Sequence, residues 1–517
     1  MASRSHDMAI GCADQRNSLD LYSVAQVRAI EAAALSLVGP GILMQRAGAA
    51  VARHALTLLP EITKDLHVLV AAGPGNNGGD ALEAAAILAQ QGVTITIVHL
   101  ADETMLPADA RMALNRARQS GAVFVESIAG ISWSLAIDGL FGIGLTRPLE
   151  GRYRELATQL NQLSCPVLAI DVPSGLDADT GGIVGSAGLA VHADETLTFI
   201  ANKPGLHTLH GRDSAGRVVV DDLGIEPILF PEPIAHLNTP LAFADAVRPR
   251  LHASHKGSYG DLQVIGGAEG MSGAVILAAR MALMSGAGRV FAGFAGPVPA
   301  YDSLHPELMC RAADDLPVDQ GAVVIGPGLG ISRQAHDLLG RALSLAPALV
   351  IDADGLNLIA AEPRLQSRLA QRTAPSLLTP HPLEAARLLG TDVHAVQSDR
   401  LSSANALASR YHATVILKGS GSIIAHPGDI PVINTTGNPA LATAGSGDVL
   451  AGLCGALLAQ GWSVRACALA ATWLHGSAAD QMVAGGTGPT GATASELIPW
   501  IRKTLNKFVS ETSAMPR

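Results

Sequence analysis

Aromatic residues are scarce, at 3% of the 517 residues, while 48% of the chain is hydrophobic and 55 positions are glycine. That balance excludes a disordered chain and suits small-residue helices packed closely on sheets. Cysteine is equally sparse. Cys12, Cys165, Cys310, Cys454 and Cys467 stand apart without a C-x-x-C pair, which excludes a disulfide framework and a zinc site and suits reduced thiols in the cytoplasm. There is no Lys/Arg cluster, and the net charge is -10, so a nucleic-acid partner is excluded. The polar N-terminus has no apolar signal segment. The longest charge-free apolar run, Val449 to Val464, falls short of the roughly 18 residues a membrane helix needs and reads as a buried helix.

What is present is long enough for two large α/β domains, at about 150 residues or more per domain. Five prolines between Leu223 and His255 (Pro227, Pro231, Pro233, Pro240 and Pro249) bar a long helix or a central strand there. The expected division is a disordered stretch over 1–20, a first domain over 21–225, a linker over 226–250 and a second domain over 251–510. Short Val/Ile-rich runs alternate with helical patterns on both sides, the signature of mainly parallel sheets. Strands are expected at Leu66 to Ala72, Val93 to His99, Ser134 to Asp138, Val167 to Asp171, Thr196 to Ile200 and Arg217 to Asp221. In the second half they are expected at Leu262 to Gly266, Val323 to Gly326, Leu349 to Asp352, Leu377 to Thr379 and Thr414 to Lys418. Leu43, Ala47, Val51, Ala55 and Leu58 recur at helical spacing and should face a core.

In open parallel sheets, ligands bind beyond the carboxyl ends of the strands, where the polar motifs of this chain fall. Gly73-Pro74-Gly75-Asn76-Asn77-Gly78-Gly79-Asp80 follows the first strand and precedes a helical run beginning at Ala81. Glycines allow close backbone approach, and free N–H groups at a helix start attract a phosphate. Taken alone, the loop reads equally as a capped turn. Convergence favours a site, because Asp138 ends a second strand and Asp171, followed by Pro173-Ser174-Gly175, ends a third.

These motifs, over about Tyr22 to Gly224, resemble the epimerase domain of bifunctional NAD(P)H-hydrate repair enzymes, a Rossmann-like three-layer fold. The resemblance implies that Asn76, Asn77, Gly78, Gly79 and Asp80 bind the hydrated nucleotide. The same role falls to Gly142, Ile143, Gly144, Leu145, Thr146, Arg147 and Pro148. It gives Asp171 the acid/base role at the reactive ring and makes Asn77, Asp138 and Ser174 ligands of potassium, a hard cation suited to oxygen donors. Ala81 stands where the family often has glycine, and Gln45 where it often has an acid.

In the second half, Gly266-Gly267, Gly326-Pro327-Gly328-Leu329-Gly330, Asp352-Ala353-Asp354-Gly355 and Thr379-Pro380-His381-Pro382 each follow a strand, and each alone could be a structural turn. The strongest signal is Thr443-Ala444-Gly445-Ser446-Gly447-Asp448, opening a helix. Its N–H groups could stabilise a transferring phosphoryl group while Asp448 accepts a hydroxyl proton. From about His255 to Lys503 the chain resembles the ribokinase-like, ADP-dependent dehydratase of the same family. That resemblance implies Asp448 as base, Ala274, Gly330 and His381 at the substrate, and Lys418, Gly419, Ser420, Gly421, Ser422 and Gly447 at ADP, with Mg2+ on the phosphates. The implied activity epimerises the R and S hydrates of NADH and NADPH and dehydrates the S form with ADP, giving AMP and phosphate. The expected enzyme is cytoplasmic and homo-oligomeric, with small-molecule substrates and no membrane partner. A vitamin-precursor kinase and a first domain reduced to a non-catalytic module are the alternatives; the fused N-N-G-G-D motif weighs against the former, and Asp138, Asp171 and Ser174 against the latter.

Overall fold

The computed structural model describes residues 18–60, 66–128 and 130–514. Cys12 and residues 1–17 of the stretch expected to be disordered lie outside them. The chain forms two compact units, one ending at His236 and one beginning at Leu237.

In the first unit, β1 (Asp20–Leu21) pairs antiparallel with β9 (Ala235–Leu237), setting Asp20 against His236 and Leu21 against Ala235. The main sheet comprises β2 (His67–Ala72), β3 (Thr94–His99), β4 (Val123–Val125), β5 (Leu135–Gly139), β6 (Val167–Ile170), β7 (Glu195–Phe199) and β8 (Arg217–Asp221). All run parallel in the order β4-β3-β2-β5-β6-β7-β8. The chain winds outward from β2 to β4 and restarts at β5, so the order reverses between β2 and β5, opening a crevice beyond their carboxyl ends. The Ile42–Leu58 helix buries Leu43, Ala47, Val51 and Ala55 as its spacing predicts, with Leu58 partly buried at the end of the stripe. Edge strand β4 escapes the sequence pattern, because three partly exposed residues are too few to show alternation.

The second unit holds β10 (Asp261–Gly266), β11 (Arg289–Phe294), β12 (Met309–Ala312), β13 (Ala322–Ile325), β14 (Ala348–Ile351), β15 (Ser376–Leu378), β16 (Thr414–Leu417), β17 (Ile423–Ala425) and β18 (Val432–Ile433). Their order is β18-β17-β16-β15-β14-β13-β10-β11-β12, parallel from β12 to β16 and antiparallel through β17 and β18. The reversal here falls between β10 and β13. Both units are mixed α/β with parallel sheets, as expected. β11, β12, β17 and β18 were not expected: Arg289, Gly293 and Arg311 interrupt the apolar runs of the first two, and the last two are very short.

The apolar run read as one buried helix is the Ser446–Ala459 helix, buried continuously from Val449 to Leu458 and ending before Gly461. Gly452 lets it touch the Ser272–Met284 helix: a Cβ there would lie 2.1 Å from the Ala278 carbonyl oxygen. Among the described residues no single helix is long and apolar enough to cross a membrane.

Candidate active sites

The reversal in the first sheet carries a cavity of about 530 Å3. Asn76, Asn77, Asp80, Gly142, Ile143, Gly144, Leu145 and Asp171 line it, together with Arg28 and Glu31 from the Val24–Val38 helix. The helix expected to begin at Ala81 begins at Asn76. The N-N-G-G-D segment is therefore helical from its first residue, and its low-propensity residues hid that start. Gly78 and Gly79 do not line the cavity. A Cβ on Gly78 would lie 2.0 Å from the Gly73 carbonyl oxygen, and one on Gly79 would lie 2.5 Å from Met44 Cε, so both serve close packing. Thr146, Arg147 and Pro148 also lie off the cavity wall. Ala81 packs on the strand floor: its Cβ sits 2.4 Å from where a Cβ on Gly139 would be. Gln45 lines a separate shallow groove with Arg46 and Arg53.

Asp171 follows β6 with φ of +67°, a left-handed conformation costly for a residue other than glycine. Its Oδ1 accepts 2.7 Å from the Nζ of Lys203, a fully buried lysine absent from the sequence expectations. Its Oδ2 accepts 3.3 Å from the Ile143 N–H. Lys203 also donates to Thr198 Oγ1 at 2.7 Å and to the Phe199 carbonyl at 2.8 Å. Burial lifts the Asp80 carboxyl well above its usual range, and Asp171, Glu31 and Glu83 lift it further. Burial, then Asp171, also raises Glu31.

Asp138 lies fully buried under the cavity floor. Its Oδ1 accepts 2.7 Å from Ser174 Oγ and its Oδ2 accepts 2.8 Å from the Ser174 N–H. Burial lifts its carboxyl to about 6, against lowering by these bonds and by the Leu140 N–H. The Phe141 N–H donates to Ser174 Oγ at 2.9 Å, and Asn77 Oδ1 lies 3.1 Å from where a Cβ on Gly142 would be. Asn77, Asp138 and Ser174 thus meet around one loop. Their available donors are oxygens, and the hydrogen bonds to Asp138 come from neutral groups. This set fits a hard monovalent cation better than a thiophilic metal.

In the second unit, the Ser446–Ala459 helix starts after Gly445, whose φ of +88° turns the chain into the first helical N–H groups. A Cβ on Gly447 would lie 3.3 Å from Lys418 Nζ and 3.9 Å from Asp352 Oδ2, which places the helix start against these two groups. Lys418 Nζ donates to Asp352 Oδ1 at 2.9 Å, and Thr379 Oγ1 donates to the same oxygen at 2.8 Å. Burial alone would lower Lys418, but Asp352 and Glu384 outweigh it and the ammonium is held above its usual range. Burial raises Asp448 to about 6; Asp352 pushes the same way and Lys418 opposes.

His381 caps the Pro382–Leu389 helix, its Nδ1 accepting from the Leu383 N–H at 3.1 Å and the Glu384 N–H at 3.3 Å. Its Nε2 lies 3.3 Å from Glu384 Oε1. The Glu384 carboxyl is lifted to about 7, chiefly by burial. Gly330 donates its N–H to Asp354 Oδ2 at 2.8 Å, and Ala274 lies beside Gly328, near the Met271 end of its helix. The Lys418–Ser422 turn wraps Arg400, which sequence reasoning missed. This buried guanidinium donates to the carbonyls of Leu417, Lys418 and Gly421 at 3.2–3.4 Å, and Ser422 Oγ donates to the Gly419 carbonyl at 3.1 Å. Among the described residues no three His, Cys, Asp or Glu side chains are placed to hold a metal ion by themselves, so a carboxylate here would meet magnesium only together with the phosphates of ADP.

Two family models match the chain: one described as YjeF-related protein N-terminus over residues 40–205, and one described as NAD(P)H-hydrate dehydratase over residues 262–501. The bifunctional NAD(P)H-hydrate repair enzyme Nnr of Coxiella burnetii is 38% identical, covering 94% of this chain and 99% of that protein. Its namesake in Vibrio cholerae is also 38% identical, over 90% of this chain and 93% of that protein, and that of Escherichia coli is 35% identical over 91% and 90%. Among solved structures, an ADP/ATP-dependent NAD(P)H-hydrate dehydratase of Bacillus subtilis, co-crystallised with ATP/Mg2+, is 28% identical with a TM-score of 0.45, covering 52% of this chain and 97% of that one. By its end-to-end likeness to these relatives, the chain belongs to the family of bifunctional NAD(P)H-hydrate repair enzymes.

Proposed function

We propose that the chain restores hydrated NADH and NADPH. The first unit interconverts the R and S epimers, and the second dehydrates the S epimer at the expense of ADP, yielding NAD(P)H, AMP and phosphate. The observation that carries this reading is Asp448, a carboxyl in the first turn of a helix whose start abuts Lys418. A base, a set of free N–H groups and an ammonium converge where a hydroxyl could attack a phosphoryl group. Asp448 takes the proton of the C6 hydroxyl, whose oxygen bonds to the β-phosphorus as AMP leaves. The phosphate then leaves C6 with the C–O electron pair, and loss of a C5 proton restores the dihydropyridine. Lys418 and the Gly447 backbone hold the diphosphate, and magnesium, when bound with ADP, shields its charge.

In the first unit Asn76, Asn77 and Asp80 meet the hydrated ring, and Asp171 presents its carboxylate there. Asn77, Asp138 and Ser174 would hold potassium, whose charge would balance the buried Asp138 carboxylate. The acidic composition and the glycine-rich helix faces suit a cytoplasmic homo-oligomer acting on diffusible nucleotides, without nucleic-acid or membrane partners.

The test is to incubate purified protein with mixed R and S hydrates, Mg2+, K+ and either ADP or ATP, following return of the near-ultraviolet absorbance of the dihydropyridine. Recovery of both epimers with ADP, lost in Asp448→Ala, is expected, and omission of K+ is expected to slow recovery of the R form alone. Recovery of only the S form would remove the epimerase from the reading. Recovery of neither would sink it entirely.

A further inference from the structure

Lys203 stands outside every role assigned above, yet among the described residues of the first unit it is, with Asp138, completely buried. A buried ammonium is costly unless each proton finds an acceptor. Here all three do: Asp171 Oδ1 at 2.7 Å, Thr198 Oγ1 at 2.7 Å and the Phe199 carbonyl at 2.8 Å. Lys203 therefore has no proton to offer a ligand, and it does not line the cavity. Two of the residues it bonds line the cavity, Asp171, held through its carboxylate, and Phe199, held through its backbone carbonyl, so its one side-chain ion pair there is with Asp171.

Building on the epimerase reading, we propose that Lys203 is a positioning residue for that reaction, clamping Asp171 Oδ1 on the protein side so that Oδ2 faces the hydrated ring. The clamp acts on a residue already set at φ of +67°, so backbone and side chain together fix one carboxylate orientation. It also sets a counter-charge 2.7 Å from the Asp171 carboxylate.

A division of labour follows. Asp171, paired with an ammonium, is placed to stabilise positive charge on the ring rather than to donate a proton. Asp80, which lines the same cavity from the first turns of the Asn76–Gln90 helix, is the proton donor. The C6–O bond breaks with its electron pair on oxygen, the oxygen takes the Asp80 proton, and water departs. The ring nitrogen lone pair forms the C6=N bond, leaving a cation beside Asp171. Water adds to C6 from either face, the C=N pair returns to nitrogen, and the surplus proton returns to Asp80. Nothing is oxidised or reduced.

The test is a double-mutant cycle in the full-length protein, with Lys203→Met, Asp171→Asn and the double variant, assayed for R-to-S interconversion at saturating K+. Lys203→Met is expected to lower kcat by about 10²-fold or more, with KM changed by less than about threefold. The double variant is expected to be no slower than Asp171→Asn alone, because Lys203 acts only through that carboxylate. A Lys203→Met enzyme with wild-type kcat would overturn the proposal, as would a double variant slower than Asp171→Asn by the full Lys203→Met factor. If Lys203→Met does not fold because it strands a buried charge, the comparison of Asp171→Asn with the double variant, in which neither charge remains, decides the matter on the same terms. Absence of epimerisation by the wild-type protein is a different failure, that of the underlying reading.

Discussion

Replacing Asp352 by Asn keeps the size of the side chain and an oxygen for Thr379 Oγ1, and it removes one negative charge from the neighbourhood of Asp448. Asp448 titrates at about 6, lifted first by burial and then by Asp352, with Lys418 opposing. A carboxylate within about 4–6 Å moves its neighbour by about 1–3 units, and Lys418 at 2.9 Å already offsets part of the Asp352 charge. The low end applies, a downward shift of about one unit, or about 1.4 kcal/mol. If Asp448 must be ionised to take the hydroxyl proton, the acid limb of kcat moves with it. At pH about 5 the wild-type enzyme would run at about one-tenth of its plateau and Asp352→Asn at about one-half of its own. The assay is formation of AMP from ADP and S hydrate at saturating Mg2+, followed by chromatography, because the dihydropyridine product is acid-labile. A limb that stays in place, or moves to higher pH, would refute Asp448 as the titrating base.

Three further outcomes follow from the packing. Arg400→Met removes the guanidinium that ties the carbonyls of Leu417, Lys418 and Gly421; titration calorimetry is expected to show ADP binding weakened by about tenfold, and unchanged affinity would separate this group from the nucleotide turn. Gly78→Ala drives a methyl into the Gly73 carbonyl oxygen, so denaturant unfolding is expected to show a loss of about 2 kcal/mol or more together with lost epimerisation. His475 is buried and, chiefly for that reason, its imidazole is lowered to about 4, with its ring nitrogen 3.0 Å from the Ser446 carbonyl. Its folded value lies below the ordinary 6.5, so the unfolded chain binds the proton first. Its contribution is full above 6.5 and is lost as pH falls toward 4, up to about 3 kcal/mol, and His475→Gln is expected to flatten the stability curve of its unit over that window.

The sequence made the strand ends readable because a buried parallel strand is a run of apolar residues cut off by a polar one. Asp138, Asp171 and Asp352 all stand at such ends, the first beneath the cavity of the first unit, the second on its wall and the third against the start of the Ser446–Ala459 helix. The lysine on Asp171 lies 32 residues away in the chain and the one on Asp352 lies 66 away, and no local pattern links residues at those separations. Lys418 was found through its motif, whereas Lys203, Glu31 and Arg400 have none. The start of the Asn76–Gln90 helix was hidden for another reason. Two asparagines and two glycines lower helix propensity, while the tight contact of Gly78 with the Gly73 carbonyl requires glycine there whatever the propensity.

Each unit holds a lysine–carboxylate pair at its candidate site, but the two use it in opposite ways. In the first, the paired carboxylate, Asp171, is itself on the cavity wall, with one oxygen held by its ionic partner. In the second, the pair of Lys418 with Asp352 stands beside a lone carboxyl, Asp448, whose affinity for a proton is raised by burial and by Asp352. Departure of the C6 hydroxyl as water leaves positive charge on the ring, which calls for a fixed negative charge, Asp171, beside a separate proton donor, Asp80. Phosphorylation of the same hydroxyl calls for a base near neutrality and a cation for the phosphates, and Asp448 with Lys418 supplies both. The same two residue types thus serve a leaving group in one unit and a nucleophile in the other, and the placement of the lysine decides which.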